Sequence, residues 1–190
     1  MSAALDIPVL HSERLRLRPW REEDLEPYAE FCANAATARF LGGVCGREDA
    51  WRRMAMFLGH WILRGYGNWA IEDKVTGHWL GYCGLWRPEG WPETEVMWGL
   101  AADCQGRGYA TEAGRCARDF AYRELGWRTL ISCIAPANSA SQRVAARLGA
   151  VRERNTELRG GDISIYRHPG PEALRGGFAK LEKRGDETCP

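Results

Sequence analysis

The chain has no apolar run approaching the ~18 residues that cross a bilayer, and its first ten residues, Met1 to Leu10, lack the basic flank and apolar stretch of a signal peptide. A cytosolic location is therefore expected. Charge of one sign is lacking too. The 26 basic and 25 acidic side chains leave a formal net charge of +1, so no overall field draws the protein to nucleic acid or to an anionic membrane, and neither is expected as a direct partner. The seven cysteines (32, 45, 83, 104, 116, 133, 189) are odd in number and include no C-x-x-C pair, which argues against a disulfide framework or a zinc site. Histidines 11, 60, 78 and 168 are equally isolated. No metal is expected, and no internal repeat is present.

What is present suffices for one sizeable core: 190 residues with 45% hydrophobic content. Arg14 to Arg18 alternates polar and apolar residues as a half-buried strand does, and Pro19 ends it. Asp24 is placed to cap a helix in which Leu25, Tyr28, Phe31 and Cys32 share a face. Between Glu48 and Arg64, Trp51, Met54, Leu58, Trp61 and Ile62 recur at helical spacing, and Gly65 stops the run. Asn68 to Glu72 and Trp79 to Leu85 read as a hairpin, and Glu95 to Leu100 as a further strand. The pattern then changes to strand and helix in alternation: a helical face from Ala110 to Ala121, a strand from Leu130 to Ala135, a helix capped by Asn138 or Ser139, and a last strand from Ile163 to Arg167. An antiparallel first half joined to a βαβα second half is a mixed α/β (α+β) layer architecture. Residues 1–168 are expected to form one domain, and 169–190, rich in Gly, Pro and charge, a frayed tail. Most of the nine tryptophans suit core filling; Trp86 and Trp91, in a loop, are the better candidates for lining a pocket.

The stretch Gln105-Gly106-Arg107-Gly108-Tyr109-Ala110-Thr111 links a strand to a helix. Free backbone N–H groups and the positive end of the helix dipole meet there, and glycines admit a phosphate close to the backbone. A Walker loop is excluded, because Gly108 is followed by Tyr109 and Ala110 where that loop needs lysine and then serine or threonine. A dinucleotide fingerprint would need its third glycine at Thr111 and an acidic residue after Leu130 to Ala135, and has neither.

A third scheme, Q/R-x-x-G-x-G/A, is met by Gln105, Gly108 and Ala110, and here the sequence resembles the GCN5-related N-acetyltransferase (GNAT) family. Gly106 to Ala113 is similar to the coenzyme A loop of the branch that acetylates ribosomal-protein N-termini, the RimJ/RimL type. Asn138-Ser139-Ala140-Ser141 with Arg147-Leu148-Gly149 resembles that branch's second signature, and Glu13 to Arg18 and Gly81 to Gly84 agree as well. The likeness spans roughly residues 11 to 168.

The resemblance implies a mostly antiparallel sheet splayed between its fourth and fifth strands, with the pantetheine arm of acetyl-CoA in the gap. Backbone groups near Leu100 would pair with that arm, and Asn138 would reach it from the other side. The pyrophosphate would rest on the amides from Gly106 through Arg107, Gly108, Tyr109 and Ala110 to Thr111, with Arg107 as countercharge. The implied reaction is direct attack of an amine, on a protein N-terminus or a small molecule, on the thioester. Glu95 would serve as base through water, Glu93 being the other carboxylate nearby, and Ser141 would protonate the thiolate or bind the cofactor. Two departures stand out: Ala145 replaces the tyrosine that many members carry as acid, and Ala150 replaces a phenylalanine. The missing tyrosine leaves a noncatalytic acyl-CoA-binding module as the alternative. Family habit also implies a homodimer.

Overall fold

A computed structural model describes residues 6–174. Its strands are β1 (Leu10–His11), β2 (Leu15–Arg18), β3 (Asn68–Asp73), β4 (Trp79–Trp86), β5 (Glu95–Leu100), β6 (Ile131–Ile134), β7 (Val151–Leu158) and β8 (Gly161–Arg167). The helices are α1 (Leu25–Ala33), α2 (Ala35–Ala38), α3 (Arg47–Arg64), α4 (Tyr109–Arg123) and α5 (Ser139–Arg147). All eight strands form one sheet in the order β1-β2-β3-β4-β5-β6-β8-β7. Every pairing is antiparallel except β5 with β6. The architecture is the mixed, mostly antiparallel α/β arrangement, and the parallel pair is the expected splay, moved up one number by the two-residue β1.

Strand alternation sends side chains to two apolar layers. Leu15, Leu17, Trp69, Ile71, Cys83 and Leu85 face α4, whose Ala110, Ala113, Ala117 and Ala121 are small enough to bring its backbone close to the sheet. Tyr82 and Trp86 face the other way, into an aromatic layer with Trp20, Tyr28, Phe31 and Phe57 from the α1 and α3 side. Near-perpendicular contacts such as Tyr28 with Tyr82, at 6.0 Å and 89°, set ring edges against ring faces, the arrangement aromatic quadrupoles favour.

Asp24 does not cap α1. Its carboxylate is buried and takes two bonds of 2.7 Å from Arg18, which also reaches buried Glu72 at 2.6 Å. Fully buried charges persist only when paired, and this cluster ties β2, β3 and the entry to α1. The inward face of α3 is Ala50, Met54, Phe57, His60 and Trp61; Trp51 and Ile62 are 52% and 68% exposed. Counting apolar residues alone rotated the expected face. His60 is at home inside because its Nδ1–H donates to Tyr66 O and its Nε2 accepts from Arg87 N–H. Strand β7 has no counterpart among the elements expected from the sequence. Every residue of Val-Arg-Glu-Arg-Asn-Thr-Glu-Leu is exposed or half-exposed on the sheet edge, so no buried face imposes a two-residue period. Of the expected tail, residues 169–174 lie on the molecule: Tyr122 donates to Pro169 O, and Leu174 packs on the α4-side core. Residues 175–190 lie outside the described residues.

Two glycines fix how closely the central strands approach. A Cβ on Gly81, whose φ is +148°, would lie 2.1 Å from Gly99 O, and one on Gly84 would lie 2.3 Å from Gly67 O. Backbone oxygens in a sheet cannot step aside. Gly81→Ala and Gly84→Ala are each expected to cost about 2 kcal/mol or more, a fall in Tm of about 5 °C or more. An unchanged Tm would show that the strands are not this close.

Candidate active site

The site begins where β5 and β6 part. Their single registered pair is Glu95 with Ile131, and Ile131 N–H donates to Thr94 O at 3.1 Å. The next parallel rung would run from Cys133 N–H to Val96 O. Side chains satisfy both groups instead: Glu95 Oε2 accepts from Cys133 N–H at 2.9 Å, and Ser132 Oγ donates to Val96 O at 2.7 Å. The strands separate without orphaning either group. Ser132 Oγ also lies 2.9 Å from His168 Nε2. Because the hydroxyl proton goes to Val96, Nε2 carries the imidazole proton. Burial pushes the His168 pKa down to about 3, so the ring is neutral and serves as a prop for Ser132.

Glu95 is 4% exposed, and its Oε1 accepts from Trp91 Nε1 at 2.7 Å. Burial outweighs these hydrogen bonds and raises its pKa to about 7. Glu93 has the opposite environment. Arg167 grips it at 2.6 and 2.8 Å and Arg154 at 3.2 Å, and these guanidiniums hold its pKa at about 2 despite partial burial. The two carboxylates weighed in the sequence are thus separated by environment: one is poised near neutrality, the other is an ionised tie to β7 and β8.

On one side of the gap lies a cleft of about 280 Å³, bordered by Leu100, Gln105, Gly106, Gly108, Ala110, Thr111, Asn138 and Ser141. Gly106 and Gly108 adopt φ of +76° and +84°, and their turn leads straight into α4. Gln105 N–H bonds Ala102 O and Glu112 N–H bonds Gly108 O, whereas the amides from Gly106 to Thr111 donate to no backbone carbonyl. Leu100 O is taken by Gln105 Nε2 at 3.1 Å, which pins the loop to the end of β5. Asn138 Oδ1 accepts from Ser141 N–H and caps α5, leaving the Asn138 amide hydrogens for the cleft. Ser141 Oγ accepts from Trp98 Nε1 at 3.3 Å.

Two residues of the loop are not brought to this cleft. Arg107 and Tyr109 border a separate depression beside Arg18 and Asp24. The Arg107 carbonyl accepts from Arg14, whose guanidinium stacks on Tyr109 with 4.5 Å to the ring centroid. Glu112 accepts from Ser12 Oγ and from Arg14, fixing the β1–β2 turn to the start of α4. The cations that do line the cleft are Arg143 and Arg147 of α5; Arg147 belongs to the second signature but carries no expected role there, and Arg143 lies outside the quoted motifs. Their signal is the four-residue spacing that puts both on one face of α5.

On the other side lies a chamber of about 470 Å³ that shares Trp98, Asn138 and Ser141 with the cleft, so the two adjoin at these residues. Its walls are aromatic, Trp86 and Trp91 included as expected, and Glu95 lies in its floor.

An elongated anion with a polar arm fits the narrower cleft. Free amides meet a helix N-terminus there, two arginines face it, and Thr111 Oγ1 is buried with no partner. A family model described as an acetyltransferase (GNAT) domain matches residues 14–151. The chain belongs to that family. It is similar to an acetyltransferase from Agrobacterium tumefaciens str. C58, with 32% identity and a TM-score of 0.79 over 88% of this chain and 98% of that one. The uncharacterized protein YkkB of Bacillus subtilis (strain 168) is 34% identical over 107 residues, 54% of this chain; the match spans 62% of YkkB's length. The fold is shared with RimL, a ribosomal L7/L12 alpha-N-protein acetyltransferase solved with coenzyme A, at 18% identity and a TM-score of 0.70 over 85% of this chain and 98% of that one.

The Glu95 environment predicts a pH signature in stability. Its carboxyl holds its proton to about pH 7 in the folded chain but only to about 4.5, the ordinary value, when unfolded. The folded state binds more protons in that window, so stability falls as pH rises from about 4.5 to about 7, by up to about 3 kcal/mol. Glu95→Gln is expected to remove that slope in urea titrations across the window. The same slope in variant and wild type would contradict the assignment.

Proposed function

We propose that the chain is an acetyl-CoA-dependent N-acetyltransferase that moves an acetyl group to a primary amine. The observation that carries this is the meeting of an anion-binding cleft and an aromatic chamber at Ser141 and Trp98, with the buried Glu95 carboxyl in the lining of the chamber.

Acetyl-CoA, when bound, supplies the activated acyl group as a thioester. The amides from Gly106 to Thr111 and the α4 N-terminus would hold its diphosphate, and Arg143 and Arg147 supply the countercharge expected of Arg107 in the sequence. Thr111 Oγ1 and the Asn138 amide offer polar contacts along the cleft. Past Val96, the edge of β5 toward β6 has no strand partner, so its backbone is available to an extended amide-bearing arm.

An amine attacks only when unprotonated, and reference pKa values of ~10.4 for lysine and ~7.7–8.0 for an α-amino group mean that either gains from a base at neutral pH. Glu95, with a pKa of about 7, can take that proton through water. Ser141 is set to protonate the departing sulfur. Trp98 N–H occupies one lone pair of Oγ, which leaves the hydroxyl proton free to point into the junction.

A second reading is a noncatalytic acyl-CoA-binding module, favoured by one observation: both Glu95 oxygens are engaged, by Cys133 N–H and Trp91 Nε1, as a purely structural clamp would be. Thiol release from acetyl-CoA across a panel of amines separates the two. Turnover above background supports the transferase, and tight coenzyme A binding without turnover supports the module. For the transferase, kcat/KM should rise with pH through about 7 as Glu95 loses its proton. Glu95→Gln should abolish that inflection and lower kcat/KM ~100-fold or more. Ser141→Ala should lower kcat ~10-fold while coenzyme A affinity changes little. An unchanged pH profile in Glu95→Gln would remove Glu95 as the base.

A further inference from the structure

The chamber carries information about the acceptor that the cofactor cleft does not. Its walls are aromatic rings, among them Phe57, Tyr82, Trp86 and Trp91, so the body of the acceptor is apolar. Its charges are unusual for a site that receives an amine. Among the described residues that line it, Glu95 is the single carboxylate, whereas Arg53 and Arg159 are cations with no carboxylate within ion-pair distance. Arg53 gives one N–H to Leu41 O at 3.2 Å. A polyamine or aminoglycoside, with several ammonium groups, would enter a chamber whose cations outnumber its anions, and like charges at such distances cost binding energy.

Arg159 is held there against a backbone preference. It occupies the β7–β8 turn with Gly160, at φ of +54° and +76°. These are the left-handed positions of a two-residue hairpin turn, where Asn-Gly is at ease and a long side chain is not. The guanidinium lies 5.0 Å from the centroid of the Trp91 ring, and the same indole donates its N–H to Glu95 at 2.7 Å. Arg159 therefore lies over the face of the tryptophan whose N–H edge meets Glu95, so a cation and a carboxyl flank the same indole. An outlying backbone conformation that places a charge over a pocket wall points to a role for that charge.

We infer that the acceptor is a small amine bearing an aromatic or bulky apolar body and a carboxylate beside the amine, that is, an amino acid or close analogue, with Arg159 reading the carboxylate. The inference rests on the acetyl-transfer reading of the site and names its substrate class. The amine lies toward Glu95 and the cleft, the carboxylate pairs with Arg159 across Trp91, and the side chain occupies the aromatic wall. A planar guanidinium matches a carboxylate with two parallel hydrogen bonds, which a lone ammonium group cannot reproduce.

The test uses matched probes: L-phenylalanine, 2-phenylethylamine, which lacks only the carboxylate, and spermidine as a polycation. Two readouts are taken on the full chain with acetyl-CoA or coenzyme A present: thiol release, and the change in tryptophan fluorescence on binding, since Trp86, Trp91 and Trp98 line the chamber. Expected is a preference for L-phenylalanine over 2-phenylethylamine of tenfold or more, with spermidine poorest. Arg159→Gln should collapse that ratio, and Arg159→Lys should restore part of it. Coenzyme A affinity of each variant reports that it is folded. Equal or better use of 2-phenylethylamine or spermidine, or a ratio unmoved in Arg159→Gln, overturns the inference and leaves acetyl transfer standing. Selective binding of L-phenylalanine without turnover supports the acceptor class and sinks acetyl transfer, and no response to any probe overturns the inference.

Discussion

One hydrogen bond governs the layout of this protein: Cys133 N–H donates to the Glu95 side chain where a sheet would put the Val96 carbonyl. A parallel pair that kept its ladder would close the gap between β5 and β6. Leaving Cys133 N–H and Val96 C=O bare in a buried site would cost a few kcal/mol. Glu95 and Ser132 satisfy both groups from the side, so the gap stays open at little cost. The same burial that makes Glu95 a clamp also raises its pKa toward neutrality. The structural role of this carboxyl and the chemical role proposed for it have one physical cause, a low-dielectric site with few but well-placed donors.

The walls around the gap are tied to it by charge. Glu93, next but one to Glu95, is clamped by Arg167 of β8 and Arg154 of β7, so the hairpin that carries Arg159 is anchored to the start of β5. Arg18, Asp24 and Glu72 do the same on the far side, fixing the entry to α1 against β2 and β3 and with it the aromatic wall that Tyr28 and Phe31 share with Tyr82. Glu112 holds the β1–β2 turn on the first turn of α4, beside the amides from Gly106 to Thr111. Several acidic residues that look like surface charge in the sequence are thus ties between strands.

Much of this was legible from residue order. The Leu15/Leu17 alternation, the alanine face of α4, the glycines at 106 and 108 and the Asn138 cap are local, and each found its expected element. What stayed hidden depends on which strands become neighbours. Trp98 reads as one more core tryptophan until α5 brings Ser141 to its indole. Ser132 and His168 are 36 positions apart and meet only because β6 pairs with β8. Arg143 and Arg147 look like solvent-facing helix residues, whereas Arg107, inside the motif, points elsewhere. Charged β7 has no apolar period because its place at the sheet edge demands none.

If the opened β5–β6 gap and the free amides of the glycine loop together hold the acetyl donor, its binding must register at both places. Amide hydrogen exchange with and without acetyl-CoA tests it most directly. Acetyl-CoA is expected to slow exchange at Gly106 to Thr111 and along Met97 to Gly99 of β5, while exchange in the β2–β3 pair is unaffected. Tight binding with no protection at Gly106 to Thr111, or with protection centred elsewhere, would contradict it.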